Sequence, residues 1–176
     1  VREALVLLMH EGLIFSTGRG FAASQLSSRE MSDLFEVRRM LEPMALASTA
    51  DHLSAHDLRM LTQALKEQEA ADAADDVDAF IAANSSFHTT WIAAVPNSYL
   101  RTLIERHDDH AQWLRHLTLH DPKVRRKALS GLRNILSALR RCKPGEAAAA
   151  MAAHLKTAEQ ALSDTLERQD YGRSLT

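Results

Sequence analysis

The stretch from residue 80 to residue 95 constrains the fold most, because it is apolar along most of its length yet carries a polar pair. Its apolar side chains recur at helical spacing, and Asn84 and His88 lie four residues apart, so both project from one face of a helix. Inside packed structure a polar group must find a partner. Another side chain, a water, a metal or a ligand can be this partner. Which of them binds Asn84 and His88 is the question that decides the function.

The rest of the chain repeats the helical pattern. Ala and Leu dominate and aromatic residues make up only 5% of the chain, which favours helices. We predict an all-α fold, a bundle of about six helices over residues 27 to 170, with a tail at 171 to 176. The predicted helices run from residue 27 to about 52, 54 to about 71, 80 to 95, 98 to about 119, 122 to about 143, and 147 to about 169.

Composition excludes several classes of protein. The chain has 21 Lys and Arg against 23 Asp and Glu, so net charge alone predicts neither a nucleic-acid nor a membrane partner. Cys142 is the only cysteine, which rules out a disulfide within the chain and fits a reducing cytoplasm. No apolar run approaches the roughly 20 residues that span a bilayer. We expect a cytoplasmic protein without a membrane partner.

The first 26 residues have the pattern of the second half of a winged helix. A helical pattern ends near Gly12, and two short β-type runs follow, around a turn whose glycines flank Arg19. In a winged helix the helix enters the major groove and the wing places a cation beside the backbone. The candidate DNA-binding residues are Arg2, Gly18, Arg19 and Gly20; a purely structural hairpin is the alternative. Because the chain opens on Val1 in mid-pattern, we expect that the start of a longer protein is missing.

Two further polar residues lie on apolar stripes. Arg38 stands one turn from Leu34, where its guanidinium needs an anionic partner. Glu42, four residues away, or the carboxylate of a ligand can provide it. His154 lies on the apolar stripe of the last helix and is either a satisfied core histidine or a ligand-binding one.

Other charged or histidine-rich segments have simpler interpretations. The predicted fourth helix carries His107, His110, His116 and His120 at helical spacings, and we expect these side chains to be exposed rather than to bind a metal. The basic segment from residue 122 to 143 is interpreted as a solvated face, balanced by an acidic solvated loop at 70 to 78.

Several short motifs, in order and with suitable spacing, resemble one known family. The end of the winged helix of GntR-type transcriptional regulators is matched by V-R-E-A-L at 1 to 5, G-L-I at 12 to 14 and the G-R-G turn. The FadR-type (FCD) effector domain is matched by E-V-R-R-M-L-E at 36 to 42, D-V-D-A-F at 76 to 80, F-H at 87 to 88, N-S-Y-L at 97 to 100, I-L-S-A-L at 135 to 139 and M-A-A-H-L at 151 to 155.

This resemblance also implies a site. Many members of the family hold a divalent metal through one aspartate and three histidines, and these positions correspond to Asn84, His88, Leu132 and His154. Asn offers a neutral carbonyl and Leu offers no donor, so zinc or nickel would need additional donors from water or effector. We expect a metal-free effector pocket formed by Arg38, Asn84, His88, Leu132 and His154, with a metal held by Asn84, His88 and His154 as the alternative.

The resemblance implies that residues 27 to 170 form an antiparallel, all-helical domain for effector binding and dimerisation. It also implies that the first two helices of the DNA-binding module are absent from this sequence, so we expect weak operator binding. The implied function is ligand-responsive control of transcription. A small organic acid or an acyl-type effector would bind the helical domain of a homodimer and change the affinity of the winged helix for operator DNA. A helical interaction module with a vestigial pocket is a second hypothesis. An enzyme is a third, but no nucleophile with its base, phosphate loop or complete metal set supports it.

Overall fold

The structure, a computed structural model, describes residues 14–17, 20–23 and 26–173. The chain divides into two compact units, Val1–Leu34 and Phe35–Thr176. The division falls within the first described helix, whereas the sequence analysis placed a boundary at its start.

The first unit contains the predicted hairpin. Strand β1 (Ile14–Thr17) pairs with strand β2 (Gly20–Ala23) in antiparallel register, with Ile14 opposite Ala23 and Thr17 opposite Gly20. Of the candidate DNA-binding residues, Gly20 begins β2, whereas Arg2, Gly18 and Arg19 lie outside the described residues.

Six helices follow, as predicted, and they make the described part of the second unit all-α. Short connections join consecutive helices, as in antiparallel helix pairs. Among the described residues, no helix has both the length and the apolarity needed to cross a membrane. The helices are α1 (Ser28–Thr49), α2 (Ala55–Ala73), α3 (Val77–Ala93), α4 (Ser98–Thr118), α5 (Pro122–Arg140) and α6 (Pro144–Arg173).

Local sequence signals explain where these helices begin. The predicted capping box at the start of α1 is present: the Ser27 hydroxyl accepts from the Glu30 N–H at 3.3 Å, and the Ser27 N–H donates to the Glu30 carboxylate at 2.8 Å. Ser54 forms the same motif with Asp57 before α2. Such caps satisfy backbone N–H groups that lack partners within the helix. Side chains also cap the next three helices, from Asp76, Asn97 and Asp121.

The core lies between α2, α3, α5 and α6. Helix α2 packs against α3 and α5, and α5 packs against α6, while α4 contacts α3 and α6. Helix α3 is the most completely enclosed: Phe80, Phe87 and Trp91 have no exposed surface. The exposed side of α3 carries small or uncharged residues such as Ala82, Ser86 and Thr89, whereas the buried side carries Asn84 and His88 among its apolar side chains.

Arg125 corrects two predictions. Its segment was expected to be a solvated basic face, yet Arg125 is only 2% exposed. Its Nε donates to Asp72 Oδ1 at 2.8 Å and its Nη2 pairs with Asp75, so the acidic segment at 70 to 78 is not simply a solvated loop. The guanidinium also lies over the Phe80 ring, 6.0 Å from its centroid. The ion pairs connect α5 to the end of α2. The sequence analysis did not predict them, because the paired residues are far apart in the chain.

We expect Arg125→Leu to lower the free energy of unfolding by about 2 to 4 kcal/mol, because Asp72 and Asp75 would lose their common partner. Urea unfolding followed by circular dichroism measures the change. Arg126→Leu, at an exposed position on the same helix, is the matched control and should change stability by less than about 0.5 kcal/mol. Equal stability of the two variants would show that the ion pairs do not hold the helices together.

Candidate functional site

The second unit contains a small cavity enclosed by α1, α3, α4, α5 and α6. Its volume is about 50 Å³, enough for a few water molecules or a compact small molecule. Apolar side chains supply most of its wall, among them Phe35, Leu114 and Leu162. The polar groups that line it come from residues far apart in the chain, namely Arg38, Asn84, His88, Arg115, Thr118, His154 and Thr157.

Four of the five residues predicted to form a pocket meet at this cavity. Arg38, Asn84, His88 and His154 all line it, and the ring centroids of the two histidines are 5.9 Å apart. Each of the four is at least nine-tenths buried. The site therefore combines ionisable groups in the interior of the bundle, where each of them needs compensation.

Leu132 does not occupy the place predicted for it. It is fully buried in the apolar core and is not among the residues that line the cavity. Helix α5 instead presents Val124 and Ala128, which are one turn apart, to the cavity. Leu132 packs with core residues such as Leu129 and Ile135. The apolar wall expected from Leu132 is thus formed by other residues.

Arg38 has the intrahelical partner that its sequence position offered. Its Nε donates to Glu42 Oε1 at 2.6 Å, and both side chains are more than nine-tenths buried. Its guanidinium carbon lies 5.1 Å from the centroid of the Phe35 ring, which is favourable for a cation. Glu42 therefore compensates the charge of Arg38, and the side chain of Arg38 also lines the cavity.

The amide of Asn84 is oriented by Gln68. The Gln68 Nε2 donates to the carbonyls of Ala64 and Ala83, at 3.2 and 3.5 Å, so its Oε1 is left to accept from Asn84 Nδ2 at 3.0 Å. This arrangement leaves Asn84 Oδ1 buried without a hydrogen-bond partner. The sequence analysis missed Gln68, because its partner lies on another helix.

The hydrogen bond between Trp91 and His88 determines the tautomer of His88. Trp91 Nε1 lies 3.4 Å from His88 Nδ1, and an indole N–H can only donate, so Nδ1 accepts. A neutral imidazole then carries its proton on Nε2. His88 is therefore a hydrogen-bond donor through Nε2 rather than a lone-pair ligand.

Burial keeps both imidazoles uncharged at neutral pH. It lowers the pKa of His88 well below 6.5, and the charge of Arg115 and the neighbouring His154 add to this effect. It also lowers the pKa of His154 to about 4, assisted by the positive charges of Arg38 and Arg115. Both shifts have the same cause, because a charged imidazole would lose its hydration beside two guanidinium groups.

Arg115 is the residue of the site that the sequence analysis missed. It is 9% exposed, and its Nη2 donates to Asp108 Oδ1 at 2.8 Å. Its Nε and Nη1 are buried and have no hydrogen-bond partner. Burial lowers its pKa despite the opposing effect of Asp108. The signal was available, since Arg115 adjoins Leu114 on the apolar side of α4 and lies one turn from Ala111, as Arg38 lies one turn from Leu34.

A glycine allows His154 to reach its position. A Cβ built on Gly131 would lie 2.5 Å from His154 Nδ1, closer than van der Waals contact permits. His154 and Thr157 also line a second, more open groove between α5 and α6. His154 therefore separates the inner cavity from this outer groove, and the helix that carries Gly131 approaches it closely.

The residues present do not fit the metal that the family resemblance implies. His88 Nδ1 accepts from Trp91 and its Nε2 carries the proton, so neither nitrogen offers a free lone pair. Asn84 contributes a neutral oxygen, and two guanidinium groups lie close enough to lower the histidine pKa values, which also disfavours a cation. Within residues 26–173 and the hairpin strands, no three His, Cys, Asp or Glu side chains lie close enough together to hold a metal ion.

The histidines of α4 are separate from this site. His107 and His110 are partly buried, whereas His116 and His120 are exposed. None of the four lines the cavity. Burial and the adjacent His110 and Arg106 lower the pKa of His107.

Comparison with known proteins identifies the helical domain. Residues 33–157 match the FCD domain family. The uncharacterized HTH-type transcriptional regulator YdhC of Bacillus subtilis (strain 168) is 29% identical over 112 residues, which are 62% of this chain and 50% of YdhC. This chain therefore spans about half the length of that curated relative.

Solved structures share the fold. E. coli McbR/YncC has a TM-score of 0.81 at 20% identity, over 96% of this chain and 84% of its own. A putative transcriptional regulator GntR from Rhodococcus sp. RHA1 has a TM-score of 0.77 at 19% identity, over 93% of this chain and 78% of its own. The family match, over most of the chain, confirms the resemblance that the sequence motifs indicated for the helical domain. The chain belongs to the FCD domain family.

Proposed function

We propose that this chain is the effector-binding part of a GntR-type transcriptional regulator and that its cavity binds a small carboxylic acid. One observation carries the proposal: two buried arginines and two neutral histidines line one cavity, and Arg115 has two buried N–H groups without a hydrogen-bond partner. Guanidinium groups bind carboxylates through charge-assisted hydrogen bonds. The similarity to HTH-type and GntR regulators supports the regulatory half of the proposal.

The size and polarity of the cavity favour a compact acid over an acyl chain. A volume of about 50 Å³ is far below the several hundred Å³ of a pocket for a larger ligand. The site is also proposed to be metal-free. Its cationic groups then take the role that a metal ion would have toward an anionic ligand.

Helix α1 contains residues of both compact units. Arg38 lines the cavity, and the same helix begins at Ser28, which follows the hairpin in the sequence of the first unit. We propose that acid binding shifts α1 and so changes how a winged helix containing Arg2, Gly18, Arg19 and Gly20 binds operator DNA. A homodimer and a cytoplasmic location belong to the same proposal.

Two alternatives have less support. An enzyme would need an effective acid or base, but the low pKa of His154 makes it a weak base at neutral pH. An interaction module with a vestigial pocket would have no reason to keep a buried arginine with two unpaired N–H groups, since each unpaired group destabilises the fold.

We expect small carboxylates to raise the melting temperature of the protein, because a ligand that binds only the folded state stabilises it. Acetate, propionate, glycolate and lactate form the first panel, tested by differential scanning fluorimetry and then by calorimetry. Arg115→Met should weaken binding by about tenfold or more, since a hydrogen bond to a charged group is lost.

Arg126→Met is the matched control for this measurement. Arg126 is exposed on α5 and is not part of the cavity wall. The Arg126→Met variant should therefore bind the acids as tightly as the unchanged protein. If no acid in a broad panel binds, the interaction module becomes the better account. If Arg115→Met binds as tightly as the control, the acid does not lie at this cavity.

The neutral imidazoles predict a specific dependence of stability on pH. The unfolded chain protonates His154 below pH 6.5 and the folded chain only below about 4, so acid favours unfolding within this window. The contribution is fully present above 6.5 and is lost as the pH falls. Between about pH 7.5 and pH 5 the free energy of unfolding should fall by roughly 2 kcal/mol through His154 alone.

Urea unfolding at the two pH values tests this. His154→Gln should remove roughly 2 kcal/mol of the pH dependence, whereas His116→Gln, at an exposed position on α4, should leave it intact. An unchanged pH dependence in His154→Gln would mean that His154 is not held neutral by its surroundings.

A further inference from the structure

The cavity lies nearest to solvent on the side of α5 and α6. Most of the described residues that line it are buried, and the partly exposed ones all belong to these two helices. They are Val124, Ala128, Thr157 and Ala158. A small molecule that reaches the cavity without unfolding of the bundle must pass its wall, and this side offers the shortest path.

The outer groove between α5 and α6 lies on the same side. Its volume of about 480 Å³ is much larger than that of the cavity. The small residues Gly131 and Ala153 leave space in it. Because His154 and Thr157 line both the groove and the cavity, their side chains form the partition between the two.

The Nδ1 atom of His154 has no hydrogen bond that would fix the imidazole in this partition. It is buried without a hydrogen-bond partner, and it faces Gly131, where a Cβ would approach it to 2.5 Å. A buried polar atom without a partner destabilises this position of the side chain. Rotation about the side-chain bonds toward the groove brings Nδ1 to water, so the movement supplies the missing hydrogen bond.

Positive charge lines the groove. Lys127 and Lys156 are exposed there, and none of the described residues that line the groove is a carboxylate. Cationic side chains beside an opening raise the local concentration of anions. Anions should therefore pass this side of the cavity wall faster than neutral molecules of the same size.

We propose that the groove between α5 and α6 is the entrance to the cavity, that rotation of the His154 side chain opens it, and that Lys127 and Lys156 favour the entry of small anions. Gly131 is then a positioning residue, because a side chain at this place would collide with the closed position of the imidazole. The entrance goes beyond the proposed function, since it admits a small anion whether or not that molecule binds in the cavity.

Alkylation of a cysteine in the cavity wall tests the entrance without any bound acid. Ala111→Cys places a thiol on α4 in this wall, and Cys142→Ser removes the exposed native thiol. The reagent is iodoacetamide, which is small and neutral, and mass spectrometry follows formation of the thioether. In this background His154→Ala should raise the alkylation rate about tenfold or more, because the partition is removed.

Ala64→Cys, also in the Cys142→Ser background, is the control for a loss of stability. Ala64 is buried in the core and is not part of the cavity wall, so a thiol there reacts only when the bundle opens. His154→Ala should accelerate alkylation of the Ala64→Cys variant far less than that of the Ala111→Cys variant. Equal acceleration of both would show that His154 stabilises the bundle but does not close an entrance.

Filling the groove gives an independent test that leaves His154 unchanged. Ala153→Trp places a large side chain in the groove and should slow alkylation of the Ala111→Cys variant about tenfold. Ala152→Trp, at an exposed position of α6 outside the groove, is the matched control and should leave the rate unchanged. Equal rates in the two tryptophan variants would show that molecules reach the cavity by another path. This comparison decides the question if His154→Ala does not fold.

Iodoacetate, the anionic counterpart of iodoacetamide, tests the role of the lysines. Lys127→Gln combined with Lys156→Gln should lower the ratio of the iodoacetate rate to the iodoacetamide rate roughly threefold. Lys123→Gln combined with Lys143→Gln removes the same charge from exposed positions outside the groove and should leave the ratio nearly unchanged. Equal ratios in the two double variants would overturn the role of the groove lysines. Because none of these measurements needs a bound acid, the proposed function can fail while the entrance stands.

Discussion

The electrostatic constraint on which this structure depends is the burial of two guanidinium groups beside two imidazoles. Arg38 and Arg115 are compensated by Glu42 and Asp108, each on the same helix as its partner. His88 and His154 share the space because burial and the arginine charges lower their pKa values and keep them neutral. The bundle thus accommodates ionisable side chains without burying a net charge of several units, and the cavity between them is rich in hydrogen-bond donors.

This arrangement differs from a metal site in the groups that it offers. A metal needs lone pairs from imidazole and carboxylate groups, whereas here the His88 nitrogen atoms are engaged or protonated and an amide replaces the carboxylate. The cations Arg38 and Arg115 line the cavity and supply positive charge there, as a metal ion would. An anionic ligand is attracted in either case, so the chemistry of recognition can be retained while the group that supplies the charge changes.

The sequence predicted what depends on local spacing. Asn84 and His88, and Arg38 and Glu42, are related by one helical turn, so their relation follows from helix geometry alone. The capping box at Ser27 followed from the same kind of short-range pattern. The order of motifs also placed His154 opposite His88, although they are far apart in the chain.

What the sequence did not predict depends on contacts between helices. The orientation of α5 decides that Val124 and Ala128 face the cavity while Leu132 enters the core, and a small rotation of the helix would reverse this. The sequence did not distinguish Arg125 from the other basic residues of its segment, because its partners Asp72 and Asp75 are far away in the chain. Arg115, like Arg38, is an arginine on the apolar face of a helix. The same sequence pattern could therefore have predicted that Arg115 is buried.

The most direct test of the account is the protonation state of His88 and His154 in the folded protein. Long-range ¹H–¹⁵N NMR of the histidine side chains, assigned with His88→Gln and His154→Gln, reports both the charge and the tautomer of each ring. The account predicts that both rings stay neutral at pH 5.5, with the proton of His88 on Nε2. Titration of either ring near pH 6.5, or a proton on His88 Nδ1, would contradict it.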